Sequence, residues 1–465
     1  MTSQSTRIPT APLTLEDLHQ AVADGAIDTV VVAITDHLGR LQGKRLAAST
    51  FIADTNPADV EGCDYLLAVD VDNAPQDGYA FSSWETGYGD ILFRPDLATL
   101  RIAPWLERTA IVQADVLLPS QAPARVSPRQ ILRAQIARLA ELGYAAHLGT
   151  ELEFLLFDDS YEQAWDRQYA GLTPTGRYNI DYSLLATSRV EPLISAIRAG
   201  MAGAGLIVES SKGECHRGQH EITFRYRDAL RACDDHVIYK NGAREIAAAH
   251  GQALTFMAKF DQEEGNSCHI HFSLTTLDGT PVSAGTGPHG FSPVLSRMLA
   301  GQLATLAELT YFFAPTINSY KRFVEGSFAP TSIGWGIDNR TCAYRVVGHG
   351  GGLHVENRVG GGDVNPYLAA AALIAGAIHG LTTDIPLPDP VEGNAYLVAR
   401  TEDSGLDTLP GSLAEARTLL DRSTLARAAF GNDVVDHYVH TADLELAAHA
   451  ATVTDWERRR GFERL

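Results

Sequence analysis

The sequence predicts an α+β protein in two unequal parts, a small amino-terminal domain over residues 1–120 and a large one over 121–465. Three observations carry that expectation. Short strand-like runs broken by Gly, Asn and Pro fill the first 119 positions; a cluster of Pro, Ser and Ala, SQAPARVSP at 120–128, marks a change of periodicity; beyond it, long helical patterns separate isolated strands. No repeat period or low-complexity segment appears. With 465 residues there is ample chain for a buried core and two or three domains.

In chain order, Thr14 caps a short helix over 15–24, with Asp17 in the capping-box position. Residues 29–34 are an apolar, β-branched strand, and DHLGRLQGKRL is a turn leading into a second. Further short strands are expected at 66–72 and 90–93. After the linker, Pro128 stands at the first helical position behind Ser127, and helical spacing runs from 129 to 142 before Gly143 closes it. Strands at 151–157, 222–226, 268–274 and 355–359 alternate with helices at 190–204, 230–250 and 291–311. The tail, 414–460, is mostly helical, and its charged end reads as a solvated helix.

The formal charge of -20 argues against nucleic acid or an anionic membrane as partner. The amino terminus has no apolar run of the signal type, and the longest apolar stretch, 367–378, is too short to span a bilayer and reads as a buried helix. Five widely spaced cysteines without a C-x-x-C pair fit a reduced cytoplasmic protein, with neither a disulfide framework nor a thiolate metal cage.

Three strands carry ionisable residues two apart. Glu151 and Glu153 alternate with Leu152 and Phe154, His269 and His271 with Ile270 and Phe272, and His354, Glu356 and Arg358 with Val355 and Val359, so each set shares a face. Singly, such pairs are usually surface or core features. Neighbouring carboxylates repel unless a cation lies between them. With Glu214, Glu221 and Glu356, the chain has five carboxylates and one or two imidazoles, enough for two octahedral Mg2+ or Mn2+ ions that keep water and phosphate ligands. Within this acidic protein, residues 318–367 gather Lys321, Arg322, Arg340, Arg345 and Arg358 among glycines, which points to an anionic ligand. Hard oxygen ligands with several arginines point to metal-held phosphate, hence a nucleotide.

The strings GTELEFLLF, GECHRGQHEI, NSCHIHFSL, KRFVEGSFAP with DNRTCAYR, and HVENRVGGGDVNPYL, in that order, resemble the motifs of the glutamine synthetase family from about Asp36 to Trp456. The resemblance implies a β-grasp amino-terminal domain and a catalytic domain whose curved antiparallel sheet forms a funnel. It also implies a homo-oligomeric double ring, a dodecamer, with sites shared between neighbours. By motif, Glu153, Glu214 and Glu221 resemble the ligands of one metal, and Glu151, His269 and Glu356 those of the second. His271, Ser273, Arg345 and the position of His354 match ATP-binding residues. Gly265, Arg322 and Arg358 match the glutamate clamp, Arg340 the arginine that stabilises the transferring phosphate, and Tyr178 a tyrosine on the amine side. The implied chemistry is phosphorylation of the glutamate γ-carboxylate by ATP, then displacement of phosphate by an amine.

Two family features differ. Where the family has an aspartate in D-G-S-S and a glutamate in G-Y-E-A-P, this chain reads Ala80-Phe81-Ser82-Ser83 and Gly326-Ser327-Phe328-Ala329-Pro330. An uncharged, aromatic lid is a poor ammonium site. The expected acceptor is a bulkier amine in a pocket of Phe328, Ser82, Ser83, Tyr178 and Trp335, as in the bacterial γ-glutamyl-amine ligases. Glu85 and Glu325 are the only extra carboxylates nearby, so a short monoamine such as ethanolamine is favoured over a polyamine. Ammonia, or a catalytically silent scaffold, ranks below both. Glu264 stands where the family has Asn, and His354 where it has Arg.

Overall fold

The computed structural model describes residues 12–53, 58–401 and 404–465. The first helix, Leu15–Ala23, has the expected reciprocal cap: the Asp17 amide donates to the Thr14 hydroxyl at 3.1 Å, and the Thr14 amide to the Asp17 carboxylate at 2.9 Å. Strands β1 (Thr29–Thr35), β2 (Leu41–Ala47), β3 (Val60–Cys63), β4 (Asp90–Pro95), β5 (Arg101–Ile102) and β6 (Thr109–Leu117) form one sheet in the order β2-β1-β6-β4-β3, with β5 against β6. Only β1 and β6 are parallel neighbours within it. Val30, Val32, Ile34, Phe93, Val112 and Val116 fill its inner face with Leu18 of the helix. The strand expected at 66–72 is not formed. Asp64–Leu67 is a 3-10 turn, and the Asp70 carboxylate accepts the amides of Asp72 and Ala74, both at 2.9 Å, which curls the backbone and leaves Val69 a single bridge to Pro75.

The second sheet is built from β7 (Tyr144–Phe157), β8 (Val208–Gly213), β9 (Gln219–Phe224), β10 (Arg227–Asp228), β11 (Ala253–Thr255), β12 (Cys268–Thr276), β13 (Trp335–Ile337), β14 (Tyr344–Val347) and β15 (His354–Asn357). Its order is β13-β14-β15-β12-β7-β9-β8, with β10 and β11 also on β7. It is antiparallel except between β13 and β14. One face is apolar and carries helices: Leu148, Leu152, Phe154, Ile222, Ile270 and Phe272 share a core with Leu132, Leu139, Ile197, Ile238, Leu299 and Leu373. Helices Pro293–Leu309 and Pro366–Thr382 cross at glycine, since a Cβ on Gly380 would stand 1.9 Å from the Arg297 carbonyl oxygen. Among the described residues no helix is long and apolar enough to cross a membrane, and the five cysteines are free.

Buried ion pairs tie the first sheet to these helices. Arg129, on the helix Pro128–Glu141, bonds Asp234 of the helix Ala229–Ala249 through Nε and Nη2, both at 2.9 Å, and also reaches Asp96 and Asp115. Arg101 of β5 bonds Asp235 at 2.7 Å. The chain ends in four helices, Leu413–Arg422, Thr424–Phe430, Asn432–Ala451 and Asp455–Gly461, the last with no buried residue.

Candidate active site

The face of the second sheet turned away from the helices carries a row of charge set by strand register. On β7, Glu151 lies opposite His269 of β12, and Glu153 opposite Glu221 of β9. Glu221 is in turn beside Lys212 of β8. On the other side, Glu356 of β15 lies between His271 of β12 and Arg345 of β14. Because side chains alternate, Leu152, Phe154, Ile222, Ile270 and Val355 point into the core and are fully buried, and the ionisable residues between them point out.

Glu153, Glu214 and Glu221 offer oxygen atoms within 4.8 Å of one another. Glu153 accepts from the Ser267 amide at 2.7 Å and the Gln219 side chain at 3.2 Å. Burial, with the charges of Glu151, Glu153 and Glu214, pushes the Glu221 carboxyl up to about 9. Burial and Glu153 push Glu214 up to about 7 against the pull of Lys212, whose ammonium contacts it. Three buried carboxylates with one lysine between them form an oxygen-rich, over-charged set whose donor chemistry fits a hard divalent cation.

Glu151 and Glu356 are neutralised differently. His269 Nδ1 lies 3.4 Å from both carboxylates, Arg345 bonds Glu356 at 3.0 Å, and Arg358 bonds its other oxygen at 2.5 Å. Burial would raise Glu151, but hydrogen bonds from His269 and His271 outweigh it and hold the carboxyl well below its ordinary range. Glu356 is also lowered, since His269, Arg358 and His271 overcome its burial. The proton positions follow from the acceptors. Gly352 O can only accept, so His354 Nδ1 donates to it at 2.7 Å, and His354 Nε2 accepts from His271 Nδ1 at 2.8 Å. His271 Nε2 then donates to Glu151 at 3.0 Å, which makes His271 an imidazolium. Glu151, His271 and Glu356 also bring ligand-type atoms within 4.8 Å of one another, though His271 would have to give up a ring proton to coordinate an ion.

Three adjoining cavities follow the row. One of about 430 Å3 is lined by His147, Tyr226, His271, Ser273 and His354 with Gly351 and Gly352. It shares Glu151, Glu209 and Thr223 with a second of about 490 Å3, whose wall includes both carboxylate sets, Glu264, Gly265, Arg322, Arg345 and Arg358. Phe328 and Arg340 belong to the second cavity and also to an open outer one of about 640 Å3.

Arg322 is buried at the floor, and its Nη2 donates to the carbonyls of Val359 (2.6 Å) and Gly360 (2.5 Å); burial pushes it down to about 10. Gly265 is required beside it, since a Cβ there would lie 2.3 Å from the Ala258 carbonyl oxygen and 2.9 Å from Arg322 Cγ. Arg358 reaches the carbonyls of Arg340 (3.2 Å) and Phe328 (3.5 Å), and Tyr396 donates to that of Ala329 at 2.8 Å. These bonds hold the turn on which Phe328, 54% exposed at φ 58°, sits at the mouth.

Three expectations are corrected. Trp335 does not line the amine pocket: it is buried against Phe291 and His289, with its indole N–H on the Pro388 carbonyl at 2.8 Å. Tyr178 does not reach the cavity either, lying in a separate small pocket with Thr175, Arg177 and His220. The Asn179 side chain accepts the Asp181 amide at 2.9 Å and turns the chain, so that Asp181 and Tyr182 line the 490 Å3 cavity instead. Ser82 and Ser83 line none of the cavities described above; Ser82 donates to Asp64 at 2.6 Å within the first sheet's own loops. Sequence reasoning missed Lys212, Asp181 and Tyr182. The one available signal for Lys212 was its place in the polar strand that precedes Glu214.

Residues 125–461 match the glutamine synthetase catalytic domain, most of the chain. The chain belongs to the glutamine synthetase family. Within that family it is 57% identical over 456 residues to a gamma-glutamylethanolamide synthetase of Streptomyces coelicolor, covering 98% of this chain and 97% of that one. It is 37% identical to a glutamate–isopropylamine ligase of a Pseudomonas species, over 93% of this chain and 95% of that one. The solved structure of GmaS with ADP superposes with a TM-score of 0.82 at 28% identity, over 96% of this chain and 99% of that one. This family member thus shares the mixed architecture of curved sheets with helices.

Proposed function

We propose that this chain is an ATP-dependent ligase that joins the γ-carboxylate of glutamate to a small monoamine, ethanolamine. The observation that carries the reading is the mouth of the cavity, where Ser327, Phe328 and Ala329 present an aromatic ring and no carboxylate next to an intact charged row. The naming of the Streptomyces relative for gamma-glutamylethanolamide supports the same amine.

In this reading glutamate lies on Arg322, Arg358 and Gly265, and the nucleotide occupies the cavity of His271, Ser273 and His354, with Arg345 at its border. Glu153, Glu214 and Glu221 would hold one divalent ion, and Glu151, His269 and Glu356 a second, Mg2+ or Mn2+. Bound ions would supply positive charge to the phosphate oxygens. A γ-carboxylate oxygen of glutamate bonds to the γ-phosphorus of ATP as the bond to the ADP oxygen breaks. The amine nitrogen, after its ammonium has given up one proton to solvent, then bonds to the acyl carbon of γ-glutamyl phosphate; the bond to the phosphate oxygen breaks, and phosphate leaves with the second proton that the nitrogen sheds. Arg340, at the junction of the inner and outer cavities, steadies the transferring phosphoryl group, and Phe328 covers the carbon part of the amine and excludes water.

The free cysteines fit a reducing compartment, and we assign the enzyme to the cytoplasm. We read the enzyme as a double ring in which Trp84, exposed beside the buried Ser82 and Ser83, reaches a neighbouring subunit. Native mass spectrometry tests the ring, and a monomer would leave Trp84 without that contact. ADP release with ATP, glutamate, Mg2+ and a panel of ethanolamine, isopropylamine, putrescine, spermidine and ammonia tests the activity. Ethanolamine should give the highest kcat/KM, and ammonia ranking first would overturn the reading of Phe328.

A further inference from the structure

The ζ-ammonium of Lys212 lies 3.2 Å from an Asp181 carboxylate oxygen, contacts Glu214, and sits 4.4 Å from the centroid of the Tyr182 ring. A carboxylate beside an aromatic face is a general receptor for organic cations. The cation held here is a primary alkylammonium, the same group that a small alkylamine carries near neutral pH. The cavity wall has three carboxylates outside the two sets assigned to metal: Asp181, Glu209 and Glu264. Of these, Asp181 has both a cation on it and a ring beside it.

Asp181, Glu214 and Cys215 also offer ligand atoms within 4.8 Å, so a further metal ion is the competing occupant. Lys212 already occupies the same space as a monovalent ammonium.

We propose that Asp181 and the Tyr182 ring form the subsite for the ammonium of the acceptor amine, and that Lys212 is a tethered stand-in displaced when the amine binds. The assignment rests on the ligase reading above. It gives the cavity the carboxylate that the Phe328 turn lacks, and it places it on the loop before the short helix Leu184–Thr187. A divalent ion among Glu153, Glu214 and Glu221 would satisfy the carboxylate that now draws Lys212 inward and leave Asp181 for the substrate. The subsite selects charge, and the Phe328 side of the cavity selects bulk.

Two nucleophiles separate the roles: ethanolamine, which is cationic near neutral pH, and hydroxylamine, which is not. ADP release at saturating ATP, glutamate and Mg2+ is measured with each for the wild type, D181N, D181E and Y182L. D181N should raise KM for ethanolamine about 10- to 100-fold, with kcat and the hydroxylamine KM within about twofold of wild type. D181E should recover most of the loss, and Y182L should raise the ethanolamine KM about fivefold. An unchanged ethanolamine KM in D181N overturns the subsite, and so does an equal loss with both nucleophiles, which would make Asp181 part of the phosphoryl-transfer machinery or a metal ligand. If the wild type itself shows no amine-dependent ADP release, the ligase reading fails and the subsite with it. Asp181 lies on an exposed loop with its side chain 33% exposed, and matched melting curves for the variants are the expected folding control.

Discussion

Glu153, Glu214 and Glu221 share one lysine, whereas Glu151 and Glu356, on the neighbouring stretch of the same sheet, are met by two imidazoles and two guanidiniums. The first set is strained by its own charge, with carboxyls pushed up to about 7 and about 9; the second is held below the ordinary range. The difference separates two uses of buried acid. One set has its charge balanced within the polypeptide and fixes the positions of Arg345 and Arg358. The other has a single lysine against three carboxylates and needs a further cation from outside the chain, so metal binding and folding should be coupled most strongly there.

The sharpest way to break that contrast is to remove one carboxylate from each set. Glu221→Gln and Glu356→Gln should each lower the ligase rate by about 100-fold or more, since both face the transferring charge. Their stabilities in chelator should move in opposite directions. Glu221→Gln relieves repulsion and should raise the melting temperature. Glu356→Gln leaves the buried Arg358 without its anion, Arg345 keeping Asp338, and should cost about 3 kcal/mol. Melting curves of the two variants check this, and shifts of the same sign would mean that the sets are equivalent.

Metal supplies the next test. Magnesium at a hundred times its dissociation constant should stabilise the wild type by about 2.7 kcal/mol per site. The share from the Glu153, Glu214 and Glu221 site should vanish in Glu221→Gln, as read by thermal shift against magnesium concentration.

Acidity sharpens the contrast further. Glu221 and Glu214 have folded pKa values above the unfolded value of 4.5, so between the two the folded chain holds more protons than the unfolded one and loses stability as the pH rises. The raised His271 acts in the same direction. His37 and His236, pushed down to about 3 by burial, give the opposite slope, but only below about 6.5. In chelator, stability should therefore fall from about pH 7 to about pH 8, by up to about 1.4 kcal/mol per pH unit for each proton of difference, before the buried Lys240, pushed down to about 8, adds the opposite slope. Saturating magnesium should flatten the slope, and urea titrations across that range measure both arms.

The smallest expected effect is at the mouth. Phe328→Glu adds a carboxylate at an exposed turn, and should shift the ratio of ammonia to ethanolamine turnover toward ammonia by about tenfold with little change in melting temperature. An unchanged ratio would remove Phe328 from amine selection.

The charged row was legible in the sequence because strand periodicity converts spacing into direction: Glu151 with Glu153, and His269 with His271, needed only period two to be placed on one face. Cross-strand partners were not legible. That Glu221 meets Glu153, or that Lys212 lies beside Glu221, depends on register between strands distant in the chain. Tyr178 and Trp335 were assigned by residue type and motif. The loop before the helix Leu184–Thr187 has no periodicity to say which of its aromatics turns inward, and a three-residue strand such as β13 does not reveal that its tryptophan faces a core. The run at 66–72 looked like a strand because it is apolar, but the Asp70 side chain takes the backbone amides that a sheet partner would need.

The Arg129 web has a mechanical consequence. One guanidinium bonded to Asp96, Asp115 and Asp234 couples the first sheet to the long helix behind the second, and Arg101 with Asp235 repeats the link nearby. A hinge between the two halves would have to pull those buried charges apart, at several kcal/mol for each pair. Opening and closing around substrate is therefore left to short segments such as the Phe328 turn, and calorimetry should record both halves melting as one cooperative unit.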